Sequence, residues 1–142
     1  MANSLNIQVI QDGPRHSVLK VEGILNTVSD IATGTRTVVA DPSTMIGMDN
    51  TGTVKAQDLI VDRIQFAIED GIEVNLEWVA TTNARLAELV GRGTEKYDRF
   101  GGLFNNSGAG RTGQIALWTE GLGQGQIKSF TLILEMKKQG RL

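Results

Sequence analysis

The stretch Leu59-Ile-Val-Asp-Arg-Ile-Gln-Phe-Ala-Ile-Glu-Asp-Gly-Ile-Glu-Val-Asn-Leu-Glu-Trp-Val-Ala80 decides the fold class. Its second half alternates without a break: Ile72, Val74, Leu76 and Trp78 fall on one side, and Glu73, Asn75 and Glu77 on the other. A period of two is the mark of a half-buried strand. The first half places Ile60, Ile64, Phe66 and Ile68 on one face, with Asp62 as the exception. Ile60, Ile64 and Ile68 are also four apart, so a helical reading stays open. The β-branched content and the Asp70-Gly71 turn dipeptide favour two strands joined as a hairpin.

The same pattern recurs outward along the chain. Leu5, Ile7 and Val9 alternate, "DGP" at 12–14 is turn chemistry, and Leu19, Val21, Gly23 and Leu25 line one side of the next run. Residues 36–40 and 114–120 are short strand candidates, and Phe130, Leu132, Leu134 and Met136 alternate in the last one. One helix is expected at about 81–91, from capping residues Thr81, Thr82 and Asn83 to Gly91, with Leu86, Leu89 and Val90 on a common face. About eight short strands with turns between them predict an all-β, single-domain β-sandwich, of jelly-roll type by strand count. Residues 1–5 read as a flexible arm and 6–142 as the single domain.

Composition narrows the function classes. At 142 residues one core is expected. Net charge is −2, with no basic run of the kind a nucleic-acid binder carries. The chain has no cysteine, and its apolar runs are too short to span a bilayer. The N-terminus has no signal-peptide pattern. No partner among nucleic acids or membranes is expected, and no cofactor or metal.

Two motifs invite chemistry. Gly108-Ala-Gly-Arg-Thr-Gly113 is a literal G-x-G-x-x-G, and Asn105–Thr112 is nearly a P-loop. A dinucleotide fingerprint needs a helix after its glycines to hold the pyrophosphate. Here "QIALWTE" follows, which alternates like a strand, so the stretch reads as a connection. The single histidine, His16, has no partner for a metal site, and no serine lies in G-x-S-x-G. The chain is expected not to be an enzyme.

Surfaces remain. The long irregular segment 41–58 holds Met45, Ile46 and Met48 without a core pattern. Loops of this length are usually functional. Arg99, Phe100, Phe104, Arg111 and Trp118 cluster around the glycine stretch, and aromatics with arginine favour interfaces. Phe104 and Trp118 also read as residues that finish the core. The arm, Ala2, Asn3, Ser4 and Leu5, suits docking by strand addition.

A cysteine-free, near-neutral β-protein with a polar arm, glycine-rich loops and a closing "SFTLILEMKK" strand resembles the jelly-roll cement (decoration) proteins of tailed-bacteriophage heads. The resemblance implies a non-enzymatic virion protein, made in the host cytoplasm. It would bind the major capsid protein on the outside of the shell and assemble as a homodimer or homotrimer. Two alternatives are a carbohydrate- or other ligand-binding sandwich, with Trp78 or Trp118 as a platform, and a phage tail component.

Overall fold

The computed structural model describes residues 3–26, 36–123 and 125–140. Ala2 of the expected arm lies outside them. Nine strands run in chain order: β1 (Ser4–Asp12), β2 (His16–Leu25), β3 (Thr37–Ala40), β4 (Asp58–Ile68), β5 (Glu73–Trp78), β6 (Ala84–Leu89), β7 (Arg92–Lys96), β8 (Ile115–Glu120) and β9 (Lys128–Gln139). They form a five-stranded sheet in the order β1-β2-β9-β4-β7 and a four-stranded sheet in the order β3-β8-β5-β6. All pairs are antiparallel, and the fold is an all-β sandwich.

The pairing is nested. β2 pairs with β9, β3 with β8, β4 with β7 and β5 with β6. The chain is thus one long hairpin rolled up, and β9–β4 and β8–β5 contacts close the two sheets. This is the strand order of an eight-stranded jelly roll, with β1 added outside β2.

The core lies between the sheets. Leu19, Val21 and Leu25 of β2, Val74, Leu76 and Trp78 of β5, and Phe130, Leu132, Leu134 and Met136 of β9 are all buried, as their alternation requires. Gly23 interrupts the β2 pattern because the Phe130 ring occupies its place; a Cβ there would lie 2.2 Å from the ring.

Three expectations are corrected. First, 81–91 is not a helix: 79–83 is a turn and Ala84–Leu89 is β6. The six residues are good helix formers, but they supply the missing edge of β5, and tertiary pairing overrides weak local propensity. A bulge opposite Leu76 and Glu77 sets Ala84, Ala87 and Leu89 on the inner face. The expected common face of Leu86, Leu89 and Val90 does not exist: Leu86 is the bulge residue, Leu89 is buried and Val90 is exposed beyond the strand. Second, Asp70-Gly71 closes no hairpin. β4 and β5 belong to different sheets, and the turn carries the chain across the sandwich. Third, Asp62 is a bulge in β4 that reverses the parity of the strand. Leu59 and Val61 face the core before it, and Ile64, Phe66 and Ile68 after it, so Ile60 points outward. β7, "RGTEK", carries no apolar residue and had no sequence signal.

Candidate functional site

The β1–β2, β3–β4, β5–β6 and β7–β8 connections gather at one end of the sandwich. Hydrogen bonds tie them to each other. Lys138, at the end of β9, donates from Nζ to the carboxylate of Asp12, to Gly13 O at 2.7 Å and to Ile46 O at 2.7 Å. Ile46 N returns to Asp12 Oδ2 at 2.9 Å. Thr112 N donates to Val79 O at 3.0 Å, which joins the β5–β6 turn to the β7–β8 connection.

The long β3–β4 connection is braced from within. Asp41 caps a single 3₁₀ turn, Pro42–Thr44, by accepting from Ser43 N at 3.0 Å and Gln114 Nε2 at 2.9 Å. Partial burial raises the pKa of its carboxyl, but the bonds from Ser43 and Gln114 win and leave it below the usual value. Asp49 accepts from the Thr51 hydroxyl and from the backbone of Val54 and Thr53, both at 2.9 Å. The Thr51 hydroxyl and the Val54 N–H hold its carboxyl well below the usual range. Met45 is buried in the core, a correction to its expected place on a contact surface. Ile46 and Val54 face solvent. Met48 is half-buried and lines a groove with Pro14, Arg15, His16 and Lys137.

The β7–β8 connection presents the aromatics. A 3₁₀ turn, Asp98–Phe100, ends at Gly101 in a left-handed conformation, φ 91°. Leu103 then pairs with Val61 through both backbone groups, at 2.8 and 3.1 Å, and Lys137 Nζ donates to Gly101 O at 3.3 Å. The turn is therefore pinned, and Phe100 and Phe104 are left 65% and 54% exposed. Tyr97 meets Phe100 edge-on at 6.2 Å between ring centres. Its hydroxyl pKa is raised by desolvation, with Glu95 adding to it.

The glycine motif is a structural corner. β8 starts at Ile115, so no helix N-terminus follows Gly113. A Cβ on Gly110 would lie 2.0 Å from the Thr81 hydroxyl, and one on Gly113 would lie 2.2 Å from Gln57 O. Both positions need glycine for close approach of backbone to neighbours, not to a ligand. Arg111 lies within an ion pair rather than on a free loop: Nε stands 3.5 Å from Oδ2 of buried Asp58. Asn105 Nδ2 donates to the other Asp58 oxygen at 2.9 Å.

Of the residues singled out in the sequence, Ile46, Met48, Arg99, Phe100, Phe104 and Arg111 meet at this end. Trp118 does not; it is 6% exposed on β8, which corrects its expected surface role. Trp78 is buried between the sheets and Trp118 is covered on the outer face of β8, opposite Asn75 and beneath Arg85, so neither tryptophan offers the platform of the carbohydrate alternative. Ser4 and Leu5 are not in an arm: they open β1, paired with Ile24 and Gly23, at the far end from the loops. Asn3 accepts at Oδ1 from Asn26 N at 2.8 Å. Sequence reading missed Asp12, Asp58 and Lys138, which organise the end. Asp12 and Asp58 at strand ends, and Lys138 beside Lys137, gave no sign of being tied down.

Chemically, four carboxylates here are committed to internal bonds, Asp12 to Lys138, Asp41 to Ser43 and Gln114, Asp49 to its own loop, and Asp58 to Asn105 and Arg111, while Asp98 is exposed beside Phe100. Outward, the end presents four apolar side chains, Phe100, Phe104, Ile46 and Val54, among exposed polar and charged ones such as Asp98, Arg99, Thr51, Thr53 and Lys55. No protein-family model, curated protein or solved structure matches the chain.

Proposed function

We propose that this chain is a non-enzymatic structural protein of the tailed-phage capsid-decoration kind, which docks its loop end on the major capsid protein and stabilises the shell. The observation that carries the reading is the pair of exposed rings, Phe100 and Phe104, on a turn pinned to β4 through the Leu103–Val61 bridge. Large aromatic side chains held rigidly in solvent lose little conformational freedom on docking, which is why such residues dominate interface energetics. The jelly-roll order fits the class, although a fold alone does not determine a function. A protein that binds only the assembled shell stabilises it by mass action.

The test is binding of the purified chain to expanded capsids of the phage that encodes it. The wild type is expected to co-sediment and to raise the temperature at which capsids rupture. The Phe100→Ser/Phe104→Ser variant is expected to keep its far-UV dichroism and to lose at least tenfold in affinity. A wild-type chain that binds no capsid, or a double variant that binds as well as wild type, overturns the reading.

A further inference from the structure

The two sheets have four edge strands among the described residues, and three are guarded. β7 carries Arg92, Glu95 and Lys96, β6 carries Arg85 and Glu88, and β3 is four residues long. Charges and short length are how proteins protect unpaired strand edges from pairing with other chains. β1 has neither of these protections, and its one irregularity is a bulge at Ile10 near its end, which leaves Ser4–Val9 regular. It is nine residues long, and from Ser4 to Gln11 it bears no charge.

The face of β1 is also unfinished. In register with β2, Ile7 lies opposite Val21 and Val9 opposite Leu19, so both point to the inner side of the sandwich. Val21 and Leu19 are buried, yet Ile7 is 39% and Val9 59% exposed. β1 overhangs the smaller sheet. Beneath the overhang runs a groove of about 340 Å³, lined by Ile7, Val9, Leu19 and Met45, with Asp12 and Asp41 at its loop end. Ser17 is part of its wall; the hydroxyl is fully buried and has no hydrogen-bond partner. A buried polar atom without a partner is costly in a finished structure.

We propose that this edge is a self-association site, at which β1 of two copies pair antiparallel about a two-fold axis normal to the sheet. Such an axis keeps the inner faces on the same side. It joins the large sheets into one, and it sets the Ile7 and Val9 side chains of each copy over the other's groove. An isologous contact uses one surface twice, so that surface must be complementary to itself. Uncharged β1 meets this demand, since a copy brings no like charge to the seam. The one acid of the strand, Asp12, lies at its end, and antiparallel pairing puts the two copies of it at opposite ends of the seam. A strand of this length spans about 30 Å. At a sheet thickness of about 10 Å, the strand edge covers on the order of 300 Å² per copy, less than the ~800 Å² of a standard-size interface, so the seam depends on its main-chain hydrogen bonds and on Ile7 and Val9. The other candidate strand, a segment of a capsid protein, has no such argument from self-complementarity.

The experiment is sedimentation velocity on the full chain between about 1 and 100 μM. The expected wild-type species has twice the 15.3 kDa chain mass. Ile7→Lys/Val9→Lys is expected to sediment as a monomer with unchanged far-UV dichroism. Ile127→Lys, equally exposed but off this edge, is expected to stay dimeric. Hydrogen exchange adds a readout that needs no variant: the outward amides of Ser4–Gln11 should exchange at least tenfold more slowly at the higher concentration. A wild type that is monomeric at 100 μM overturns the proposal, even if the edge then captures a capsid-protein strand. So does a dimer that survives both lysines. The docking reading stands apart, because the lysines leave Phe100 and Phe104 untouched: a monomeric variant that still binds capsids keeps the one reading while testing the other.

Discussion

The ammonium of Lys138, wholly shielded from solvent, sits against the carboxylate of Asp12 and ties the last strand to the first turn. Its three donors are used, by Asp12, Gly13 O and Ile46 O. A buried charge is tolerable only when paired and fully hydrogen-bonded.

Lys138→Met keeps much of the stem and removes the charge, stranding Asp12 and two carbonyls. The expected cost is about 3 kcal/mol, read as a fall in Tm of roughly 10 °C. Asp12→Asn/Lys138→Met should recover part of it. A loss below about 1 kcal/mol in the single variant contradicts the central role given to this pair.

Gly23 and Phe130 are matched. Gly23→Ala places a methyl inside the ring, and overpacking of this kind costs about 1–3 kcal/mol. Shortening the ring by Phe130→Leu should restore most of that loss in the double variant, a coupling that a double-mutant cycle in denaturant measures. Additive losses would mean that the glycine is needed for some other reason.

Acid should loosen the β3–β4 connection. Asp41 and Asp49 both have carboxyls held below their ordinary value of 3.8. Their contribution is therefore complete above that value and is lost as pH falls through the lowered native values. Thermal unfolding at pH 7, 4 and 2.5 should show a steeper loss below pH 4 for wild type than for Asp49→Asn, which keeps an acceptor but no titrating group. Equal slopes would remove Asp49 from the account.

Arg111 serves Asp58. Because the guanidinium is about one-third exposed, screening limits the pair, and Arg111→Ala should cost only about 1 kcal/mol. Asp58→Ala, which leaves Asn105 and Arg111 without their acceptor in a buried place, should cost more. Urea midpoints of the two variants test the order; the reverse order would assign the loop's anchoring to something other than Asp58.

The sandwich was legible because period two survives in β2, β5 and β9, each of which buries its alternate apolar residues, although Asn75, expected on the outward side of β5, is buried too. What misled was local. The bulge at Asp62 shifts the parity of β4, and the bulge at Leu86 breaks the alternation of β6, which left good helix formers behind capping residues as the signal there. A bulge depends on the partner strand, so one strand's sequence cannot announce it. β7 is polar throughout and exists only because β4 has a free side. At the loop end, Phe100 and Phe104 stood out as aromatics in a charged setting, and they are exposed. Met45 and Trp118 had the same chemistry, and the sequence held nothing to tell core from surface at those two positions.

The nested pairing has a consequence for synthesis. β2 lies between β1 and β9, and His16 meets Lys137 across almost the whole chain. When the ribosome has released β2, its central neighbour has not yet been made, and β3 must likewise wait for β8. The molecule therefore closes from its tip, at β5–β6, or only after translation ends. Such long-range closure is slow and leaves strand edges open meanwhile. Growth temperature and expression rate should govern the soluble yield of this protein, and loss of β9 alone would leave β2 and β4 with no strand between them.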